Sequence, residues 1–229
     1  MSKKAIVYIN QFFGQIGGED TADYEPTIHE GTIGPAMAIN AALHADVTHT
    51  ILCGDNCMGS RTDWAVEQIL GMLEGLEFDI FLAGPAFQAG RYTVACGTIC
   101  KAVKEKFGVP VVTSMNVETP GVLMFKKDMY ILKGGNIASK MRQDVKAMVN
   151  LANKILDGEE IGPAALEGYF PRGIRKEYFR PDNKPASERM IEMLLKKVNG
   201  QPFETETPIP KIDRVPIAPA IKYLKHAKI

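Results

Sequence analysis

The chain lacks net charge: 27 Lys and Arg offset 27 Asp and Glu across 229 residues. A nucleic acid or an anionic membrane as main partner would call for a basic excess, so neither is expected. No apolar run reaches the roughly 18 residues of a membrane span. Met1-Ser2-Lys3-Lys4 leads straight into a short apolar stretch rather than the longer core of a signal peptide. Cysteine is scarce, four in all and scattered, as expected of a reducing cytoplasm. His29, His44, His49 and His226 lack HxxxH spacing, no CxxC is present, and Ser60 and Ser114 sit in no nucleophile elbow. Gly14-Gln15-Ile16-Gly17-Gly18 has neither the Lys-Ser/Thr of a P-loop nor the full GxGxxG spacing, which makes a flavin or nucleotide the weaker ligand class.

What is present is a pattern of five short apolar strands alternating with helices. The strands are expected at Ala5–Ile9, Val47–Cys53, Phe78–Ala83, Val109–Met115 and Met129–Lys133. Helices are expected after Pro35, after a Ser60 cap, from Ala89 to Phe107 with Gly108 closing it, and from Ala138 to Asp157. Glu118–Asp128 reads as a loop with one helical turn. This alternation predicts a mainly parallel sheet covered on both faces. Right-handed crossovers make a flavodoxin-like, doubly wound α/β fold with strand order 2-1-3-4-5 the economical topology. The character changes after Gly158, so residues 1–158 are expected to form the α/β domain. Residues 159–200 read as a docking segment, centred on Gly168–Arg175, plus a helix at Ser187–Val198. Residues 201–229 read as a proline-rich linker and the start of a second domain, which implies a longer polypeptide.

Tyr8–Asp20 runs from the first strand into a long loop of glycines, amides and carboxylates, and in an open α/β sheet ligands bind beyond the carboxyl ends of strands. The candidate substrate-binding residues are accordingly Asn10, Gln11, Gly17, Gly18 and Glu19, then Asp55 and Asn56, Gln88 and Arg91, Asn116, and Asn136. Arg91 suits a carboxylate because its planar fork can bind two oxygens near a helix N-terminus. The plainer alternatives are caps and turns for the amides and, for Arg91, a structural pair with Glu19, Asp20 or Asp55. Cys53/Cys57 and Cys96/Cys100 form two CxxxC pairs, which read as core residues before a zinc or iron–sulfur site.

The stretches YINQFFGQIGGEDTADYEP (Tyr8–Pro26), CGDN (Cys53–Asn56), GPAFQAGRY (Gly84–Tyr92), YILKGGN (Tyr130–Asn136), GYFPRGIR (Gly168–Arg175) and PFETETPIPKIDRVPIAPAI (Pro202–Ile221) resemble the first half of the selenoprotein B subunit of glycine, sarcosine and betaine reductases. The resemblance implies a cytoplasmic, substrate-specific subunit from amino-acid-fermenting anaerobes. It also implies pyruvoyl-containing companion subunits, a selenoprotein A, a protein C that releases acetyl phosphate, a thioredoxin system and a small amino-acid substrate. The pyruvoyl group and the selenocysteine are expected on partner subunits or on the missing half. No cofactor and no catalytic residue is therefore assigned to this chain, which alone should bind rather than turn over. A non-catalytic flavodoxin-like interaction or scaffold module is the competing reading.

Overall fold

The computed structural model of the chain describes residues 2–173 and 184–205, within two compact units, Met1–Ile174 and Arg175–Ile229. In the first unit, β1 (Lys4–Asn10) is buried from its second residue onward. It is a continuous apolar run, as a strand covered on both faces must be. It pairs in parallel with β3 (Asp46–Cys53) on one side and β4 (Ile80–Ala83) on the other. β5 (Val111–Met115) and β6 (Tyr130–Lys133) continue the parallel array.

A further strand, β2 (Thr27–Glu30), runs antiparallel along β3 and makes the order β2-β3-β1-β4-β5-β6. The five expected strands stand in the expected order, but the sheet has six strands rather than five. Thr27-Ile28-His29-Glu30 holds one aliphatic side chain, and its positions are partly buried or, at Glu30, exposed, so it carries no hydrophobic period to betray it. Three expected strands are also shorter at their starts, the last of them, β6, by the single residue Met129. Phe78 lies ahead of β4 and stacks on Phe107, with ring centroids 5.4 Å apart. Val109-Pro110 precedes β5, since proline has no N–H for the ladder.

The helices are α1 (Pro35–Asn40), α2 (Asp55–Ser60), α3 (Thr62–Leu73), α4 (Gly90–Phe107), α5 (Pro120–Phe125), α6 (Met141–Leu156) and α7 (Ala164–Glu167). Ser60 ends α2 rather than capping α3, and its hydroxyl donates back to the Asn56 carbonyl at 2.7 Å. The start of the expected Ala138 helix is a 3-10 turn ahead of α6. Pro120 opens a true helix in the expected loop. Gly97 lets α5 approach α4: a Cβ there would lie 2.0 Å from the Phe125 ring.

Two apolar layers enclose the sheet. One joins Ile6, Tyr8 and Phe81 to α3 and α4, and the other joins Val7, Ile9 and Leu82 to α1 and α6. At the outer edge of β6, Phe170 N–H donates to the Ile131 carbonyl at 2.8 Å and Lys133 N–H to that of Gly168 at 3.0 Å. Arg172 lies over the Tyr130 ring at 5.0 Å. This covers an edge that would otherwise offer unpaired backbone groups. The end of the Gly168–Arg175 docking stretch, most of the proline-rich linker and the strand expected after it lie outside the described residues. In the second unit, α8 (Ala186–Val198) exposes Met190, Ile191, Leu194, Leu195 and Val198. Among the described residues no helix is long and apolar enough to cross a membrane.

Candidate functional site

The sheet order decides which candidates can meet. β1 lies between β3 and β4, so the loops after these three strands converge, whereas β6 is three strand positions from β1. Neighbouring strands are about 4.8 Å apart, so the loop after β6 is displaced by well over 10 Å.

Asn10 and Gln11, both almost fully buried, tie the first loop to the third. Asn10 Nδ2 donates to Asp55 Oδ2 at 2.9 Å, and Asn10 Oδ1 accepts from Phe13 N–H at 3.1 Å. Gln11 Oε1 accepts from Asp55 N–H at 3.1 Å, and its Nε2 donates to the Gly18 carbonyl at 3.3 Å. These amides build the site's walls and spend their hydrogen bonds doing so. Gly17 has no room for a side chain, because a Cβ would sit 2.6 Å from Thr21 Oγ1. The Gly18 amide donates to Asp20 Oδ1 at 3.2 Å, which shapes the turn that carries Glu19.

Arg91, in the first turn of α4, reaches across this wall. Its guanidinium donates to Glu19 Oε1 and to Asn56 Oδ1. The alternative of a structural pair with Glu19 is therefore what the structure contains. Both partners are exposed, the Arg91 side chain by 52% and that of Glu19 by 72%, so water screens the pair and it adds little to stability. Asp55 and Asp23 also act on Arg91, which puts three carboxylates around one cation.

Asp55 is the chemically distinctive member. Burial pushes its carboxyl up to about 6, against the Asn10 hydrogen bond and Arg91, both of which favour the charged form. Its Oδ1 is buried with no hydrogen-bond partner among the described residues, as are the Tyr8, Tyr92, Thr113 and Ser114 hydroxyls. Tyr8 and Tyr92 lie beneath the cleft, ring centroids 6.4 Å apart, and burial holds both phenols well above their usual range. Sequence patterning gave no sign of this layer, because a tyrosine within a strand or on a helix face reads as core.

The remaining candidates stand apart. Gln88 Nε2 donates to Glu118 Oε2 at 2.6 Å, and Asn116 bridges the Glu118 amide at 3.0 Å and the Gly134 carbonyl at 3.4 Å. They brace the loops after β4 and β5. Asn136 is exposed beyond β6. The adjacent Gly135 amide is not free for an anion, since it donates to both oxygens of the buried Asp144 at 2.9 and 3.1 Å. The structure thus gathers Asn10, Gln11, Gly17, Gly18, Glu19, Asp55, Asn56 and Arg91, and leaves Gln88, Asn116 and Asn136 outside.

All four cysteines are buried core residues, and no cluster of metal-ligating side chains exists among the described residues. Beside Arg91, a groove of about 300 Å³ lies between α2 and α4, lined by Met58, Gly59, Thr62, Val94 and Pro120.

The family model for glycine/sarcosine/betaine reductase selenoprotein B matches residues 2–229. The chain belongs to that family. It is 66% identical to the betaine reductase complex component B subunit beta of Peptoclostridium acidaminophilum over 99% of its own length and 52% of that protein. The sarcosine reductase complex component B subunit beta of the same organism is 47% identical, again over 99% of this chain and 52% of that protein. The glycine reductase complex component B subunit gamma of Carboxydothermus hydrogenoformans is 45% identical over 100% and 53%, respectively. The chain spans about half the length of these selenoprotein B relatives. No solved structure matches it.

Proposed function

We propose that this chain is the N-terminal part of the substrate-specific component, protein B, of a glycine, sarcosine or betaine reductase. In that reading it works in the cytoplasm and contributes to reductive C–N cleavage, which yields a carboxymethyl-selenoether on selenoprotein A. Pyruvoyl-containing companion subunits and a thioredoxin system act with it. Its flavodoxin-like wiring presents the cleft at the carboxyl ends of β1, β3 and β4. The observation that carries the reading is the exposed Arg91–Glu19 pair at that edge, in a chain whose family match runs over residues 2–229.

Glycine, sarcosine and betaine are zwitterions. Their carboxylate suits the Arg91 fork and can displace Glu19 at small cost, because the pair it breaks is screened by water. Their cationic end suits the carboxylates that surround Arg91, Asp55 and Glu19 foremost. The chain's own residues thus bind and orient: Asn10 and Gln11 hold Asp55 in place, and Asn56 steadies the guanidinium. The sequence contains no selenocysteine, and its four cysteines are buried in the core. The selenium chemistry and the pyruvoyl group are accordingly assigned to partner subunits or to the part of the relatives that this chain does not cover.

The test is titration calorimetry on the complex reconstituted with companion subunits and a partner bearing the second half. Arg91→Ala should weaken zwitterion binding roughly ten- to a hundredfold, the weight of a charge-assisted bidentate contact. Arg91→Lys should restore part of it. Unchanged affinity in both variants would refute Arg91 as the carboxylate ligand. The exposed apolar face of α8 favours a second reading, a non-catalytic interaction module. In that case the complex would assemble through this chain, yet both variants would leave affinity and turnover unaltered.

A further inference from the structure

α5 (Pro120–Phe125) has two unlike faces. Gly121, Val122 and Phe125 are buried. A Cβ on Gly121 would lie 2.8 Å from the Thr93 carbonyl oxygen, and one on Gly97 would meet the Phe125 ring, so this face is clamped against α4. At about 100° per residue, Leu123 and Met124 fall on the opposite side, with Lys127 of the following turn between them. Leu123 is 73% exposed and Met124 56%. Apolar residues scattered singly over a surface need no explanation, but a pair of neighbours rimmed by charge marks a place of contact. The rim here is basic. The turn after α5 carries Lys126 and Lys127. Two lysines of α4 reach the same turn: Lys104 donates to the Asp128 carbonyl, and Lys101 Nζ lies 3.6 Å from the Asp128 carboxylate. Arg172 donates to the Lys127 carbonyl at 2.9 Å. Five cations therefore meet at one turn, opposed by Asp128 and by Glu105 of α4, in a chain whose net charge is zero. Lys101 stands ten residues beyond Arg91 on α4, about 15 Å at 1.5 Å per residue, so the patch leaves the cleft open.

We propose that the outer face of α5 and its basic rim dock an acidic protein surface on a companion component, with Leu123 and Met124 seated in an apolar centre. This rests on the reading of the chain as part of a multi-subunit reductase. Charge decides the occupant. A second copy of this chain, meeting the same face about a twofold axis, would set the five cations against themselves. A phosphate backbone would engage the lysines and leave Leu123 and Met124 wet. An acidic protein face with an apolar middle satisfies both features: the cations speed and orient the encounter, and the apolar pair, once covered, holds it. Because the inner face of α5 is already pinned to α4, docking orders little backbone and costs little entropy.

The experiment uses the complex reconstituted with companion subunits and a partner bearing the second half. Zero-length carbodiimide crosslinking with peptide mass mapping should join Lys126 or Lys127 to an aspartate or glutamate of another component. Reversing both charges, Lys126→Glu with Lys127→Glu, should remove that crosslink and weaken assembly about tenfold or more at low salt, with the difference shrinking at high salt. Leu123→Gln with Met124→Gln, which leaves the charge unchanged, should weaken assembly at both. Met37→Gln, at a methionine of α1 that is 62% exposed, should change nothing, and all the variants should unfold at the wild-type temperature. A complex that forms and tolerates both double substitutions would overturn the surface while leaving the reductase reading intact. Equal loss in Met37→Gln would overturn it too, as would displacement by heparin with the glutamine pair silent, the mark of a polyanion site. A wild-type chain that joins no complex at all would instead refute the reductase reading on which the surface rests.

Discussion

Asp55→Asn should stabilise the fold above about pH 6. Asp55 is a carboxyl whose proton affinity burial raises from the ordinary 3.8 to about 6, so ionising it costs more in the folded chain than in the unfolded one. Below about pH 4 both states hold the proton and this cost is absent. As pH rises through the folded value, stability falls, and by pH 8 the whole penalty is present. At about 1.36 kcal/mol per pKa unit, a rise of about two units is roughly 3 kcal/mol. Asparagine keeps the oxygen that accepts from Asn10 Nδ2 and puts an N–H where Oδ1 now has no partner among the described residues. It gives up a negative charge in the first turn of α2, worth up to about 1 kcal/mol. The net gain should be about 2 kcal/mol at pH 8, shrinking to nothing near pH 4. Urea midpoints of wild type and variant at half-unit steps from pH 4 to 8 would trace that curve. A difference flat with pH, or a wild type that gains on the variant as pH rises, would show that Arg91 outweighs burial and that Asp55 is a stabilised anion. The gain should come with weaker binding of the cationic end of a zwitterion, since the variant removes a carboxylate from the cleft.

Gly54→Ala should cost about 1–3 kcal/mol or more in thermal unfolding, because the new Cβ would sit 2.1 Å from the Ala22 carbonyl oxygen and backbone must move to admit it. Gly59→Ala, inside the helix that Gly54 precedes and with nothing within 4 Å of its Cβ, should lose no stability. Metal analysis of anaerobically purified protein should find no stoichiometric zinc or iron. One metal per chain that disappears with Cys96→Ser would overturn the core reading of the cysteines.

The parallel order was legible because βαβ units leave few choices. β1 and β4 are nearly unbroken apolar runs, the other parallel strands end or begin in one, and right-handed crossovers then limit the choice of neighbours. β2 was not legible, since an edge strand needs apolar residues on one face at most and His29 and Glu30 give no alternation. The edge that bears the site could be read from position alone, but the function of each polar residue could not. Asn10, Gln11 and Asn116 have the chemistry of ligand donors, yet their hydrogen bonds go to Asp55, Gly18 and Gly134. A buried amide must satisfy itself inside the fold before it can serve a ligand. The sequence could not distinguish such a residue from Arg91, whose partner Glu19 is exposed. It also hid the contrast between Asp55, whose carboxyl burial pushes up to about 6, and Glu19, most of whose side chain faces water. That contrast is a property of depth beneath the loop after β1. It is the feature from which the cleft's chemistry follows: one carboxyl that changes charge within the physiological range, beside one cation that does not.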